Sequence, residues 1–186
     1  MPRSGWPTAP RTRPRVYLTL GTVAFGAVEV LSRAVAEIAP LDVDLLVAVG
    51  PEGDPAALGA VPGSVHVERF VAQGDVLPLV DIVVHHGGTG TVLGTFAAGL
   101  PQLILPQGAD QFHNARSLAA IGAGRALLND DQLPGTIAQA VSEMLAGSSE
   151  RQVATRLRDE IDALPIPAEI VAELVALAGT SPGHGR

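Results

Sequence analysis

The chain has 186 residues, of which 47% are hydrophobic, and a formal net charge of −7 at pH 7. This length and hydrophobic content predict one folded domain with a substantial core and exclude a largely disordered chain. The negative charge disfavours a general nucleic-acid binder, because phosphate backbones require a basic face. The absence of cysteine excludes disulfides, thiolate catalysis and cysteine-ligated zinc.

No apolar run is long enough to span a membrane, and the N-terminus lacks the apolar segment of a secretory signal, so we expect a cytoplasmic protein. Residues 1–15 are expected to form an irregular tail or linker, because their Pro and Arg content resists packing and Trp6 has no periodic partners. A folded body over 16–164, a C-terminal helix over 165–178 and a tail over 179–186 complete the predicted division.

Apolar runs rich in strand-forming residues alternate along the body with segments of helical periodicity. The runs predict strands at 16–20, 43–49, 65–71, 81–86, 102–105 and 126–128. Apolar residues three or four positions apart predict helices over 28–38, 89–98, 110–121, 134–145, 153–164 and 166–177. The alternation predicts an α/β fold, with a Rossmann-like parallel six-stranded sheet and helices on both faces. Ligands of such sheets bind at the carboxyl ends of the strands.

A stretch rich in histidine and glycine, residues 85–91, lies between the fourth predicted strand and the next helix. Glycines at a helix start let an anion approach unpaired N–H groups and the positive end of the helix dipole, so phosphate is the natural ligand. The stretch is not a Walker loop, since no lysine follows, and it does not follow the first strand as a dinucleotide fingerprint does. The alternative is a tight strand-to-helix turn capped by Thr89.

His85 and His86 are adjacent, so their side chains point to opposite faces of an extended strand. We expect one of them to face a ligand pocket and the other to pack or form hydrogen bonds within the fold. An adjacent pair without an acidic cluster is a poor metal site, and no metal is expected.

Further candidate residues each have a simpler structural interpretation. Asp110 can be a helix cap or a ligand-binding carboxylate, and Asn114, one turn later, can be a surface residue. Phe70 can be a core residue or a stacking platform. All of these residues follow predicted strands, which favours a shared site at one edge of the sheet.

A series of short motifs in a fixed order points to a known family. The series comprises Phe70-Val71-Ala72-Gln73, Leu77-Pro78, Asp81, residues 85–91, Gly99-Leu100-Pro101-Gln102, Pro106, Asp110-Gln111, Asn114-Ala115 and Gly122-Ala123-Gly124. It resembles the donor-binding C-terminal half of nucleotide-sugar-dependent glycosyltransferases of family 1, which have the GT-B fold. The resemblance covers about residues 16–128 and is closest to the bacterial branch that glycosylates macrolides, enediynes and other natural products.

The resemblance implies a role for each matching residue. Phe70, Val71 and Gln73 correspond to the nucleobase-binding loop, and Asp110 and Gln111 to the pair that binds the sugar hydroxyls. His86 corresponds to the histidine that binds the diphosphate and stabilises the leaving group. The other diphosphate contacts implied are Gly21, Thr22, Gly87, Gly88, Thr89, Gly90 and Thr91. The implied donor is a TDP-sugar or a UDP-sugar, with no metal and no cofactor.

The sequence also departs from the family pattern. Gly94 stands where plant members carry a ribose-binding glutamate, which favours TDP over UDP, and Ala72 replaces a proline common in the base-binding loop. The family's acceptor site and general-base histidine belong to an N-terminal domain, and no histidine of this sequence matches that base. We therefore expect the donor-binding domain of an inverting, metal-independent glycosyltransferase, which transfers a hexose or deoxyhexose to a small-molecule hydroxyl, with little transfer by the isolated chain.

Two alternatives would use the same pocket. A non-catalytic nucleotide- or nucleotide-sugar-binding subunit of a two-chain enzyme would need no acceptor half. A sugar-nucleotide epimerase would need several acid–base carboxylates, whereas only Asp110 is a clear candidate in this sequence, which disfavours that enzyme. The expected partners are a nucleotide-sugar and either an acceptor-domain chain or a second copy, bound through the apolar face of the last helix.

Overall fold

A computed structural model describes residues 6, 11–21, 27–147 and 149–179. The strands are β1 (Arg15–Thr19), β2 (Asp44–Ala48), β3 (Val65–Glu68), β4 (Ile82–His85), β5 (Gln102–Ile104) and β6 (Gly124–Ala126). They form one sheet in the order β3-β2-β1-β4-β5-β6, and every neighbouring pair is parallel. This is the order of a doubly wound Rossmann sheet, with its switch point between β1 and β4. The predicted fold class is confirmed.

The α-helices of the described part are α1 (Ala27–Ile38), α2 (Gln73–Val76), α3 (Thr89–Ala97), α4 (Gln111–Ile121), α5 (Thr136–Leu145), α6 (Ser149–Asp162) and α7 (Pro167–Gly179). Single 3₁₀ turns cover Pro55–Leu58, Leu77–Leu79 and Asn129–Asp131. Helices α1 and α5 cover one face of the sheet, and α2, α3, α4 and α6 cover the other. None of the described helices is both long and apolar enough to cross a membrane.

The central strand β1 shows why both faces are covered. Val16 and Leu18 are fully buried against α1 and α5, whereas Tyr17 packs on the opposite face. Successive side chains of a strand alternate between the two faces, so a strand between two helical layers is apolar throughout. The same alternation directs Tyr17 and Thr19 to the face that carries α2 and α3.

Two strands differ from their predicted bounds by more than one residue. Strand β3 ends at Glu68, so Phe70 and Val71 belong to the loop that follows. The last strand is Gly124–Ala126 and not 126–128; the apolar Leu127 and Leu128 that suggested the later position follow the strand and are half-buried. An apolar run indicates burial, but only the pairing with β5 fixes which residues form the ladder.

Trp6 packs into the core, although its Pro- and Arg-rich segment was expected to resist packing. Trp6 is only 4% exposed and packs in the core on the Tyr17 face of the sheet. Its ring meets His66 edge to face, with centroids 5.6 Å apart, and the Arg15 guanidinium lies 6.0 Å from its centroid. A single aromatic anchor in an irregular segment has no periodicity, so sequence patterns cannot detect it. The rest of the predicted tails, residues 1–5, 7–10 and 180–186, lies outside the described residues.

Candidate functional site

A cavity of about 350 Å³ lies at the carboxyl ends of β1 to β4, at the switch point of the sheet. Strand β1 contributes Tyr17 and Thr19 to its lining, and the segment after β1 contributes Gly21. Ala48 at the end of β2 and residues 50 and 51 just after it complete this side. The β3 side is lined by residues 69–71 and Gln73, and the β4 side by His86 and residues 88–91. Loops that are distant in sequence thus share one site, as expected at this edge of a doubly wound sheet.

His85 is a structural residue beneath this site. It is fully buried, its Nδ1 accepts a hydrogen bond from the Gly87 N–H at 3.0 Å, and its Nε2 lies 2.8 Å from Oε1 of Gln102. Since Nδ1 accepts, Nε2 carries the proton and donates it to Gln102, whose amide donates to the Val92 carbonyl at 3.2 Å. Burial lowers the pKa of His85 to about 3. The neutral ring therefore ties the turn to β5 and α3.

His86, in contrast, lines the cavity. Its ring lies between two glycines, since an added Cβ on Gly21 would be 2.6 Å from its Cε1 and one on Gly88 would be 2.5 Å from its Nε2. Its buried Nδ1 has no hydrogen bond of good geometry with a described group. Burial lowers the pKa of His86, while the main chain of Thr19 and the charge of Asp110 oppose this shift. The prediction that one histidine faces the pocket and the other serves the fold is confirmed by this arrangement.

Helix α3 begins in the cavity wall beside His86. Its N-cap is Gly88 and not Thr89, so the predicted alternative of a Thr89 cap is wrong. The N–H groups of Gly88, Thr89 and Gly90 have no acceptor among the described residues, whereas the next two donate to the Gly88 carbonyl at 3.0 Å. An added Cβ on Gly90 would meet nothing within 4 Å. Unpaired N–H groups, open space and the helix dipole together favour an anion here.

Gly87 supports this turn from outside the cavity. Its φ is +94°, and an added Cβ would lie 2.8 Å from Cγ2 of Ile104, so the position requires glycine. Its N–H donates to His85, and its carbonyl accepts from Nδ2 of Asn114 at 2.8 Å. The N–H of Gly87 is therefore not available to an anion, and the structure does not place this residue where the predicted diphosphate contact requires it.

The loop after β3 forms the opposite wall, and the three predicted nucleobase residues all line it. Phe70 is 70% exposed, so it is not a core residue, whereas Val71 is buried. Nε2 of Gln73 donates to Oγ1 of Thr91 at 3.0 Å, which links this loop to α3. Oε1 of Gln73 lies 3.7 Å from where a Cβ on Gly94 would be, so this amide occupies the space beside Gly94.

Tyr17 and Thr19 are part of the site, although no sequence motif singled them out. Both line the cavity from β1, and Tyr17 is buried. Burial raises the pKa of the Tyr17 phenol, and hydrogen bonds with the side chains of Thr19 and Gln73 partly offset this shift. The signal that could have found them is the alternation of β1, in which they share one face of the sheet.

Asp110 joins the site through Thr89. It does not cap α4: its backbone is helical and its side chain makes no cap hydrogen bond. Its Oδ2 instead accepts from Oγ1 of Thr89 at 3.0 Å and from Nδ2 of Asn114 at 3.3 Å. Asp110 is exposed and lies outside the cavity lining, beside a residue that belongs to it. Asn114 therefore holds Asp110 and the Gly87 turn together, a role that its position one turn into α4 did not reveal.

Gln111 is not among the described residues that line the cavity. It is buried, and its Oε1 accepts hydrogen bonds from the N–H groups of Gln107 at 2.8 Å and Gly108 at 3.2 Å. This oxygen shapes the turn after β5 and is not available to a sugar hydroxyl. Of the predicted sugar-binding pair, the structure brings Asp110 and not Gln111 to the rim of the cavity.

The remaining predicted contact, Thr22, lies outside the described residues, while Gly21 just before it lines the cavity. Within the described ranges, no three His, Asp or Glu side chains are grouped so that they could hold a metal ion. The chemistry that the described part of the site offers consists of one imidazole, one guanidinium from Arg69, unpaired N–H groups, hydroxyls and amides, with a carboxylate at the rim.

Comparison with known proteins identifies the family to which this chain belongs. Residues 32–177 match the profile of the erythromycin biosynthesis protein CIII-like C-terminal domain. The chain belongs to this family. Relatives of this CIII-like domain include the L-demethylnoviosyl transferase of Streptomyces niveus, at 36% identity, and the 10-deoxymethynolide desosaminyltransferase of Streptomyces venezuelae, at 35% identity. The matches cover 90% and 93% of this chain but 45% and 41% of those proteins, so the chain spans less than half of their length.

Solved structures agree with this assignment. The CIII-like domain matches the calicheamicin glycosyltransferase CalG4 with a TM-score of 0.85 at 28% identity, over 96% of this chain and 47% of that one. It matches the spinosyn rhamnosyltransferase SpnG, solved with thymidine diphosphate, with a TM-score of 0.81 at 33% identity, over 92% and 47% of the two chains. The predicted relationship to the C-terminal half of GT-B glycosyltransferases of natural-product biosynthesis is confirmed.

Proposed function

We propose that this chain is the donor-binding domain of a glycosyltransferase that moves a hexose or deoxyhexose from a TDP-sugar or UDP-sugar to a small-molecule hydroxyl. One observation carries the proposal: His86 and the unpaired N–H groups at the start of α3 face the same cavity at the switch point of the sheet. The similarity to enzymes named as desosaminyl and demethylnoviosyl transferases supports transfer of a sugar.

In the proposed complex the diphosphate lies between His86 and residues 88–91. Negative charge grows on the diphosphate as the sugar leaves it in an inverting displacement. The N–H groups of α3 and the dipole of the helix stabilise that charge at fixed positions, which allows departure without a metal ion. The dianion also opposes the lowering of the His86 pKa, because a nearby negative charge favours the imidazolium that donates to it.

The nucleoside then extends towards β3, where Phe70 offers an exposed ring for stacking and Gln73 joins the loop to α3. Two relatives solved with thymidine diphosphate, VinC and SpnG, support TDP as the nucleotide. The sugar lies towards Asp110, whose carboxylate Thr89 and Asn114 already orient. In this arrangement the sugar contact comes from Asp110, and Gln111 holds the neighbouring turn.

We place the acceptor site and the general base in a partner domain or chain, because the match covers less than half of each relative. Helix α7 offers a surface for such a partner. Its Val171, Leu174 and Val175 expose 58%, 59% and 67% of their surface, and an apolar face of this size favours association. Light scattering over a range of concentrations tests the alternative of self-association. If the chain stays monomeric at high concentration, self-association fails and the acceptor domain is the proposed partner of this face.

The donor-site proposal is tested by a thermal-shift panel of UDP, TDP, GDP and ADP on the whole chain. A nucleotide that binds only the folded state raises the unfolding temperature by mass action, and TDP or UDP should give the largest rise. His86→Ala should remove most of that rise while the ligand-free protein still unfolds cooperatively. The absence of a shift with every nucleotide at millimolar concentration would overturn the proposal.

A non-catalytic nucleotide-binding subunit uses the same cavity, and the partial length of the match keeps this second candidate open. Co-expression with the acceptor-binding half of a relative separates the two functions. Sugar transfer by the reconstituted pair, lost on His86→Ala, supports the enzyme. Nucleotide binding without transfer, in a pair that purifies as a complex, supports the non-catalytic subunit.

A further inference from the structure

We propose that Arg69 determines nucleobase specificity by selecting bases with an oxo group, over those with an amino group, at the edge remote from the sugar. This inference rests on the proposed function, because it assigns a role at the far end of the same cavity.

Arg69 differs in charge from the rest of the cavity lining. Of the described residues that line the cavity it is the only arginine, lysine, aspartate or glutamate. It is exposed, and no described residue forms a hydrogen bond or an ion pair with it. The arginines at 13, 125 and 158, by contrast, each pair with a carboxylate. A guanidinium carries five N–H donors and no acceptor, so the donors of Arg69 are left for a ligand.

The strand order determines which part of a nucleotide Arg69 can reach. Arg69 follows β3, whereas His86 and the start of α3 follow β4, and both β2 and β1 lie between them. Three strand spacings amount to about 14 Å. This separation puts Arg69 at the end of the cavity remote from a diphosphate held at α3, which is the end where the nucleoside is proposed to lie. The neighbouring Phe70, 70% exposed, offers a ring for the face of the base, which leaves its edge to Arg69.

The chemistry of that edge separates the bases. A pyrimidine is attached to its ribose at N1, so the substituent at C4, across the ring, is the one farthest from the phosphates. Uracil and thymine present an oxo acceptor there, and cytosine presents an amino donor. Arg69 can donate a hydrogen bond to the C4 oxo group of uracil or thymine. With cytosine, the donors of Arg69 face the amino group at C4, which is also a donor. The same contrast separates O6 of guanine from N6 of adenine.

UDP and CDP are the matched probes, because they share the ribose and the diphosphate and differ only at the C4–N3 edge of the base. Isothermal titration of the whole chain should show UDP binding about tenfold more tightly than CDP. Arg69→Ala should bring this ratio close to one, and Arg69→Glu should invert it, since a carboxylate accepts from the amino group of cytosine. Arg156→Ala is the control: this exposed arginine of α6 pairs with Glu160 at 3.8 Å, and its loss should leave the ratio unchanged.

Each contrary outcome has a distinct meaning. If the wild type binds neither nucleotide, the donor site and this inference fail together. If UDP binds and Arg69→Ala changes neither affinity, the donor site stands and the role of Arg69 is overturned. If Arg69→Ala weakens UDP and CDP equally and leaves uridine binding unchanged, Arg69 contacts the phosphates, which also overturns base selection.

Discussion

The two ends of the cavity are built in opposite ways. At the α3 end, the ligand-facing groups are main-chain N–H groups and a histidine that lies between two glycines, and the buried hydrogen bonds of His85 fix the turn that precedes α3. At the β3 end, Arg69 and Phe70 are exposed side chains, and no described residue forms a hydrogen bond or an ion pair with the Arg69 guanidinium. A diphosphate is common to all nucleotides, whereas the base varies. The rigid α3 end thus faces the diphosphate, and the adaptable β3 end faces the base. We therefore expect substitutions at the α3 end to lower both stability and nucleotide affinity, and substitutions at the β3 end to lower affinity alone.

Removal of the buried histidine should have the largest effect. His85→Ala leaves the Gly87 N–H and Oε1 of Gln102 buried without their partner and opens a cavity under the turn. We expect a loss of about 3 kcal/mol of unfolding free energy, measured by urea denaturation, together with weaker TDP binding. His113→Ala, at an exposed position of α4, is the control and should change stability by less than about 0.5 kcal/mol. Equal stability of the two variants would show that the α3 end is not held rigid by His85.

Crowding the imidazole of His86 should have the next largest effect. An alanine Cβ at residue 88 would lie 2.5 Å from Nε2 of His86, whereas one at residue 90 would meet nothing within 4 Å. Gly88→Ala should therefore cost about 1–3 kcal/mol or displace His86 and weaken TDP binding. Gly90→Ala, in the first turn of α3, should leave stability unchanged or raise it by up to about 1 kcal/mol. Denaturation of both variants in parallel tests the contact, and indistinguishable stability and affinity would refute it.

The α3 end should also make stability depend on pH. The pKa of His85 is about 3 in the folded protein, against an ordinary value of 6.5, so below pH 6.5 the unfolded chain takes up a proton that the folded chain does not. Its stabilising contribution is complete above that pH and is lost progressively as the pH falls towards 3. Between pH 7 and pH 5.5 this one group should lower the unfolding free energy by about 1 kcal/mol. The variant His85→Gln should lack this part of the pH dependence. An identical decrease in both proteins, measured by urea unfolding, would contradict the assignment.

The order of the strands and of every described helix except α2 was predictable. Strands buried on both faces must be apolar throughout, and each observed strand overlaps a predicted run. The boundaries of the strands were less predictable than their order. Phe70 extends the apolar pattern of β3 past Glu68 although its ring faces the cavity and not the core, because an apolar residue at a ligand site looks in sequence like a buried one. Trp6 shows the converse error, since a lone anchor in an irregular segment gives no periodic signal.

The site was predictable where its chemistry is local. The glycines after β4 and the start of α3 adjoin His86 in sequence, so their proximity follows from the spacing alone. Contacts over long sequence separations were not predictable: Asn114 reaches the carbonyl of Gly87 across 27 residues. Gln111 illustrates a third limit, because a side-chain amide serves a sugar hydroxyl and a main-chain N–H equally well, and only the fold determines which of them it meets.

The smallest effect on stability, and the sharpest test of the contrast between the two ends, is expected at Phe70. Because its ring is 70% exposed, Phe70→Ala should change the unfolding free energy by less than about 0.5 kcal/mol. Loss of base stacking should nevertheless weaken TDP binding by about tenfold, and Phe70→Trp should preserve it. Pyrophosphate, which has no base, should bind the wild type and Phe70→Ala equally well in isothermal titration. If Phe70→Ala weakens the binding of pyrophosphate as much as that of TDP, the geometry of the α3 end depends on the β3 end. The two ends of the cavity would then not be separable, and the contrast between them would be wrong.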